Sequence, residues 1–286
     1  MAIKELKEAL ILLRRMPLLW TTGIVGGFLA ASLFLTLNFY GTFFAGRLLI
    51  ISGLVLLIFT TGMLTLIRDN EGDLRALLAG GTRYYFRILL PQVVIGSVVI
   101  LFFILLMVTF SFFGISDISI VTALTFGFMI PTIIVTFFYD TAAIFEDRHV
   151  FDSIKHSIQL VFTHMNEVII FLFVYAVIIA GIFFLSIIVW SFILSIFLYD
   201  KLKPMSLNET QLQTFTPDQF IALIGPGGIW ITGVILFLAL FLLLPVLYTY
   251  KACFYKKLAN GTAKGTIITQ QPTTGEYDSK GRWYKY

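Results

Sequence analysis

The chain has 286 residues, 58% of them apolar and only 13% charged, and its mean hydropathy is +0.94. Soluble domains are about 45–50% apolar and about 25% charged, so the composition excludes a soluble enzyme, a disordered chain and a disulfide-stapled secreted scaffold. The net charge is +4 and Cys253 is the single cysteine, which leaves no intramolecular disulfide to form.

The chain opens on an amphipathic helix. Ile3, Leu6, Leu10 and Leu13 fall on one face, with Lys4, Lys7, Glu8, Arg14 and Arg15 elsewhere, the spacing of a helical stripe. The apolar stretch that follows is too long for a signal-peptide core, and no cleavable signal is expected. Spanning a bilayer takes about 20 apolar helical residues. Residues 18–40 and 47–67 meet that requirement, and Arg68-Asp69-Asn70 closes the pair. A second amphipathic segment, 73–87, carries Leu74, Leu77, Leu78 and Tyr85 as its stripe; Gly80 and Gly81 weaken it. Spans at 88–113 and 118–145 follow, closed by Glu146-Asp147-Arg148. A third amphipathic segment, 152–165, aligns Ile154, Ile158, Val161 and Met165, and leads into a span at 168–199. At 1.5 Å per residue that span is about 48 Å long and must tilt or protrude. In the connection over 200–228, Thr216-Pro217-Asp218-Gln219 forms a capping box with proline at the first helical position. It predicts a short helix over 217–223, stopped by Gly225-Pro226-Gly227-Gly228. The sixth span covers 229–250. Continuous apolar runs of this length are helices and not barrel strands.

The expected fold is therefore an all-α membrane protein: six transmembrane helices as three hairpins, each preceded by a cytoplasmic amphipathic helix. The membrane domain covers 1–258, with repeat-like units near 2–70, 71–147 and 148–258, and a polar, aromatic tail covers 259–286. Seventeen of the twenty Lys and Arg residues fall on one side of this topology; Arg47, Lys201 and Lys203 fall on the other. The positive-inside rule then places both termini in the cytoplasm, in a prokaryotic plasma membrane. Trp20, Tyr40 and Trp230 sit at predicted span ends, as belt aromatics do. Asn208-Glu209-Thr210 is a glycosylation sequon in the outer connection, and Asn260-Gly261-Thr262 a second on the cytoplasmic side. The amphipathic helices are expected in the inner headgroup plane, with basic residues on anionic lipid, or else packed on protein as plain linkers.

Residues able to carry chemistry are few. His149, His156 and His164 all lie in the third connector, without the further ligands a metal site needs. Phosphate-binding loops, nucleophile elbows and zinc-binding His-Glu-x-x-His helices are absent from the sequence. Asp140 is the one acid well inside a span, about 7 Å deep by helical rise. Lys251 lies at a similar depth at the end of the sixth span, and Gln92 near the start of the third. A buried Asp140–Lys251 pair with Gln92 or Tyr139 assisting would satisfy these groups, either as an ion or proton relay or as a clamp. Gly23, Gly27 and Ala31 share a face of the first span, with Gly26 and Ala30 beside it, a pattern that serves packing within the chain or dimerisation. Pro131 and Pro245 are expected to kink spans four and six. In the tail, Asp278 to Gly281 can turn a hairpin, and Trp283, Tyr284 and Tyr286 are candidate partner-binding residues.

The stretches RALLAGGTRYYFRILLP (75–91) and FFYDTAAIFEDRHVFDSIKHSIQL (137–160) resemble a widespread family of uncharacterised prokaryotic, largely archaeal, polytopic membrane proteins. That family is similar to the membrane domain attached to some glycerophosphoryl diester phosphodiesterases. The match is best around Asp140 and Ser157. The resemblance implies a multi-helix membrane domain with cytoplasmic amphipathic connectors; the chain has no room for the phosphodiesterase barrel, so that activity is not carried over. The expected function is a non-catalytic scaffold or complex subunit that engages membrane lipids and partner proteins, as a homo-oligomer or with another membrane protein. The alternative is a small channel or transporter using Asp140. A lipid-acting enzyme lacks a catalytic constellation, and no cofactor, metal or nucleic-acid partner is expected.

Overall fold

A bilayer offers no water to unpaired backbone groups, so spanning segments must satisfy their hydrogen bonds internally. The computed structural model describes residues 2–114, 117–202, 217–267, 275–277 and 283–285. In chain order they form α1 (Ala2–Arg15), a 3-10 turn (Pro17–Trp20), α2 (Thr21–Tyr40), α3 (Thr42–Asp69), α4 (Leu74–Arg83), α5 (Tyr85–Phe112), α6 (Ile118–Thr136), α7 (Tyr139–Phe145), α8 (Val150–Thr163), α9 (Met165–Leu202) and α10 (Pro217–Ile267). Two three-residue strands, β1 (Gly275–Tyr277) and β2 (Trp283–Lys285), pair antiparallel with Glu276 opposite Tyr284. The expected turn between them, and the Asn208 sequon, lie outside the described residues.

Six helical stretches are long and apolar enough to cross a membrane: Pro17–Tyr40, Thr42–Asp69, Tyr85–Phe112, Ile118–Phe145, Met165–Tyr199 and Ile221–Ala259. The chain is a multi-pass membrane protein. Half of the most apolar stretch of α3 is buried inside the molecule, and none of that of α5; the rest is left for lipid. Within the bundle α2 packs on α3, α5 on α6 and α9 on α10, and the most extensive contact of all is α2 on α10.

Two boundaries differ from the sequence expectation. The fourth span is not one helix: α6 stops at Thr136, residues 137–138 form a turn, and α7 restarts at Tyr139. Pro131 itself lies inside α6 and Pro245 inside α10, so the break falls one and a half turns beyond the proline. At the sixth span the expected short helix does end near residue 224, because Gly225 takes φ 61°, but a new helix begins directly at Pro226 and not after Gly228. Proline suits a first helical position, where its missing N–H is not needed. The same helix runs through the expected domain boundary at 258 to Ile267.

The three connectors α1, α4 and α8 share one construction. Each is separated from the following span by a single non-helical residue: Met16 (φ −119°, ψ 82°), Tyr84 (φ −97°, ψ 1°) and His164 (φ −118°, ψ 37°). Aligned on these hinges, Ala9, Leu77 and Ser157 become equivalent, as do Leu13, Gly81 and Val161, and all six are buried. The buried face is therefore only partly the expected apolar stripe, of which Leu13, Leu77 and Val161 are buried. It is rotated toward small and polar residues: Ala2, Glu5, Ala9 and Leu13 on α1; Leu77, Gly80 and Gly81 on α4; Ser153, Ser157, Leu160 and Val161 on α8. Small side chains let a connector lie close against the bundle. Gly80, which sequence reasoning treats as a weak point, is such a contact, since a methyl there would stand 2.7 Å from Thr65. Ile3 (75% exposed), Leu10, Leu74, Leu78, Phe151 and Met165 are left facing outward instead.

The apolar core sits at the end of the bundle that carries the connectors. One cluster joins Leu13, Met16 and Leu19 to Met63, Leu64, Leu66 and Ile67 of α3, to Tyr84 and Ile88, to Ile144 and to Ala252. A second joins Ala9, Phe138, Leu160, Val168, Phe171, Tyr250 and Phe254. At the far end a smaller cluster of Leu194, Leu198, Ile224 and Ile229 ties α9 to the break in α10.

Candidate functional site

The break in the fourth span creates the site. Where α6 ends, the carbonyl of Val135 and the N–H of Phe138 lose their helical partners, and in an apolar interior each orphan is costly. Ser157 of α8 replaces both: its Oγ accepts from the Phe138 N–H at 3.0 Å and donates to the Val135 oxygen at 2.9 Å. Ser157→Ala is expected to lower stability by about 1–3 kcal/mol, the cost of leaving buried backbone groups unpaired. Ser153→Ala, which removes only a local bond to Val150 O, should cost less. Thermal unfolding of both variants in detergent checks the ranking, and equal effects would count against the staple.

The restart at Tyr139 puts Asp140 in the first turn of α7, where the helix dipole favours an anion, and its Oδ1 accepts from the Thr141 N–H at 2.7 Å. Lys251 of α10 closes on it, with Nζ 2.7 Å from Oδ1 and 2.8 Å from Oδ2. Both residues are 7% exposed. The ammonium also lies 4.4 Å from the centre of the Phe137 ring, a cation–π contact that strengthens with desolvation. Tyr139, Tyr175 and Tyr248 are within electrostatic reach of Asp140. Gln92 does not join: it is exposed on α5 and bonds neither charge. A polar residue near the start of a span can face outward at headgroup level as readily as inward, so depth alone does not assign it to the pair.

One turn further along α10, Tyr255 donates to Glu146 Oε1 at 2.5 Å. Lys251 and Tyr255 are four residues apart and so share a helix face; Asp140 and Glu146 are their respective partners. Glu146 also accepts from Arg148 Nε at 2.6 Å and lies 3.1 Å from His156 Nε2, an ion pair only when the imidazole is protonated. Burial would raise the Glu146 carboxyl, but the bonds from His156, Tyr255 and Arg148 outweigh it and hold the group at about 2. His149 is exposed and His164 is the hinge of the third connector, so the three histidines do not converge. Among the described residues no group of three or more His, Cys, Asp or Glu is placed to hold a metal ion.

Two further polar links lie at this end. Glu5, 1% exposed, pairs through Oε1 with Lys257 and so fixes α1 to α10. Tyr84 collects the guanidinium groups of Arg68, Arg83 and Arg87 within 5.2–5.4 Å of its ring. Its hydroxyl accepts from Arg68 Nη1 at 2.7 Å, and Arg68 also donates to Ile144 O at 2.8 Å. The Tyr84 hydroxyl and Arg87 together hold the Asp147 carboxyl below its ordinary range. Asn70 and Asp147, which close the second and fourth spans, are the two described non-glycine residues with positive φ, 55° and 53°. The site as a whole is a set of ion pairs and hydrogen bonds that tie α1, α3, α7, α8 and α10 together. Of the tail candidates, Trp283 and Tyr284 lie in β2 and Tyr286 lies outside the described residues. The chain matches no protein-family model, no curated protein and no solved structure.

Proposed function

We propose that the protein is a non-catalytic integral membrane scaffold or complex subunit, engaging lipid and partner proteins through its three connector helices and its C-terminal tail. In this reading the spans form three hairpins, the connectors and both termini are cytoplasmic, and the membrane is a prokaryotic plasma membrane. The observation that carries it is the rotation of the connectors: each turns small residues to the bundle and leaves large apolar side chains exposed beside basic ones. That is the arrangement of a helix lying in a headgroup layer. The lopsided distribution of Lys and Arg supports the orientation. So do the aromatic residues at the far end, where Phe39 meets Trp230 at 6.3 Å and Arg47 covers the Phe43 ring at 3.9 Å. The test is native mass analysis after extraction in mild detergent. Retained lipid or a stoichiometric protein partner is expected; a bare monomer would sink the reading.

A second reading draws on the broken fourth span. Transporters use discontinuous helices beside intramembrane charges, and Asp140 with Lys251 stands at such a break. Ion or proton flux in proteoliposomes that disappears in Asp140→Asn would favour it. Absence of flux in the wild type would dismiss it.

A further inference from the structure

The hinge-based register that aligns the connectors also aligns their chemistry. Leu6-Lys7-x-x-Leu10, Leu74-Arg75-x-x-Leu78 and Ile154-Lys155-x-x-Ile158 occupy equivalent positions. In each, the basic residue is exposed and, among the described residues, makes no ion pair. The apolar residue three positions on, its neighbour on the same helix face, is exposed in α1 and α4 and half-buried in α8. In α1 and α8 the residue four positions before the base is also apolar and exposed: Ile3 at 75% and Phe151 at 72%. So each connector presents, among its exposed cations, one without an ion pair that recurs at the same register position beside exposed apolar side chains; in α4 the residue four positions before it is Glu71. Apolar residues that enter the acyl boundary and a long basic side chain that reaches back to the headgroups are complementary to a phospholipid with net negative charge. The equivalent acids do not recur: the residues after the bases are Glu8, Ala76 and His156.

We infer that Lys7, Arg75 and Lys155 are three equivalent phosphate-binding positions, each holding the headgroup of one anionic phospholipid from the leaflet in which the connectors lie. The inference rests on the interfacial reading above and specifies its lipid and its residues. It is tested with the full chain, extracted in mild detergent with added phosphatidylglycerol or phosphatidylcholine and weighed intact. The wild type should retain three phosphatidylglycerol molecules and fewer phosphatidylcholine. Lys7→Gln, Arg75→Gln and Lys155→Gln should each retain two, and the triple variant none. A control triple, Lys4→Gln, Arg15→Gln and Arg83→Gln, removes the same charge from connector positions other than the three proposed and should keep three. Should the first triple fail to fold, the three single variants still decide. Retention that is unchanged in the single variants, or lost equally in the control, overturns the three-site inference while leaving the scaffold reading in place. A wild type that retains neither lipid nor a protein partner removes the scaffold reading itself.

Discussion

Lys251→Ala is expected to destabilise the protein by about 3–5 kcal/mol, because it leaves the Asp140 carboxylate buried without its cation. The pair is bidentate and 7% exposed on both sides, so water cannot replace the missing partner. Asp140→Ala should cost a similar amount by stranding the ammonium over Phe137. The double variant Asp140→Leu, Lys251→Met separates two roles. Buried ion pairs replaced by apolar residues of similar size are often neutral or stabilising by about 1–4 kcal/mol. If the pair is a clamp, the double variant should unfold near the wild-type temperature while either single variant unfolds well below it. If instead Asp140 carries a proton or ion, stability recovers in the double variant but flux does not. Thermal unfolding and a proteoliposome flux assay on the same three variants read the two outcomes apart.

The six spans were legible because their signal is one of length and apolarity, and both survive any packing arrangement. Asp140 and Lys251 were legible as partners for a related reason: each is costly alone at that depth, and each is the other's cheapest remedy. What the sequence concealed depends on packing between distant segments. The fourth span reads as unbroken because nothing local in Phe137-Phe138 demands a turn; the break is held by Ser157, nineteen residues on from Phe138. Connector faces were misjudged by the same logic. Periodicity finds the most apolar stripe, but a helix shared between a bundle and lipid needs two contact faces. The bundle side combines small residues with part of that stripe, as Ala9, Gly81 and Ser157 beside Leu13, Leu77 and Val161 illustrate. Glu5 shows the limit most clearly: a glutamate on an amphipathic helix reads as solvated, yet it is nearly wholly buried because Lys257, more than 250 residues away, meets it. The repeat itself was legible, but its residue-by-residue register was not; the Leu/Ile-Lys/Arg-x-x-Leu/Ile motif lines up only once the hinges fix that register.

Gly27→Leu should be strongly damaging, at about 3 kcal/mol or more, whereas Gly53→Leu should be neutral or stabilising by about 0.5–1 kcal/mol. Both replace a glycine inside a transmembrane helix with the same residue, so helix propensity favours both equally. They differ in what the new side chain meets. A Cβ at Gly27 would stand 2.6 Å from the Phe237 carbonyl oxygen, and one at Gly23 would press on the Phe241 carbonyl and the Pro245 ring, so α2 and α10 can approach only because both positions are bare. A backbone oxygen cannot swing aside as a side chain can, and relief requires the two helices to separate. Since α2 on α10 is the most extensive contact in the bundle, separation there reaches the Tyr250–Tyr255 stretch that holds Asp140 and Glu146. At Gly53 nothing lies within 4 Å, and the leucine meets only lipid. The face defined by Gly23 and Gly27 is therefore consumed inside the chain, and a dimer built on it would require α10 to leave. Circular dichroism melts in detergent give the stability order. Size-exclusion profiles give the oligomeric state. A Gly27→Leu variant that keeps its melting temperature but changes from dimer to monomer would reverse the assignment of that face from intramolecular to intermolecular packing.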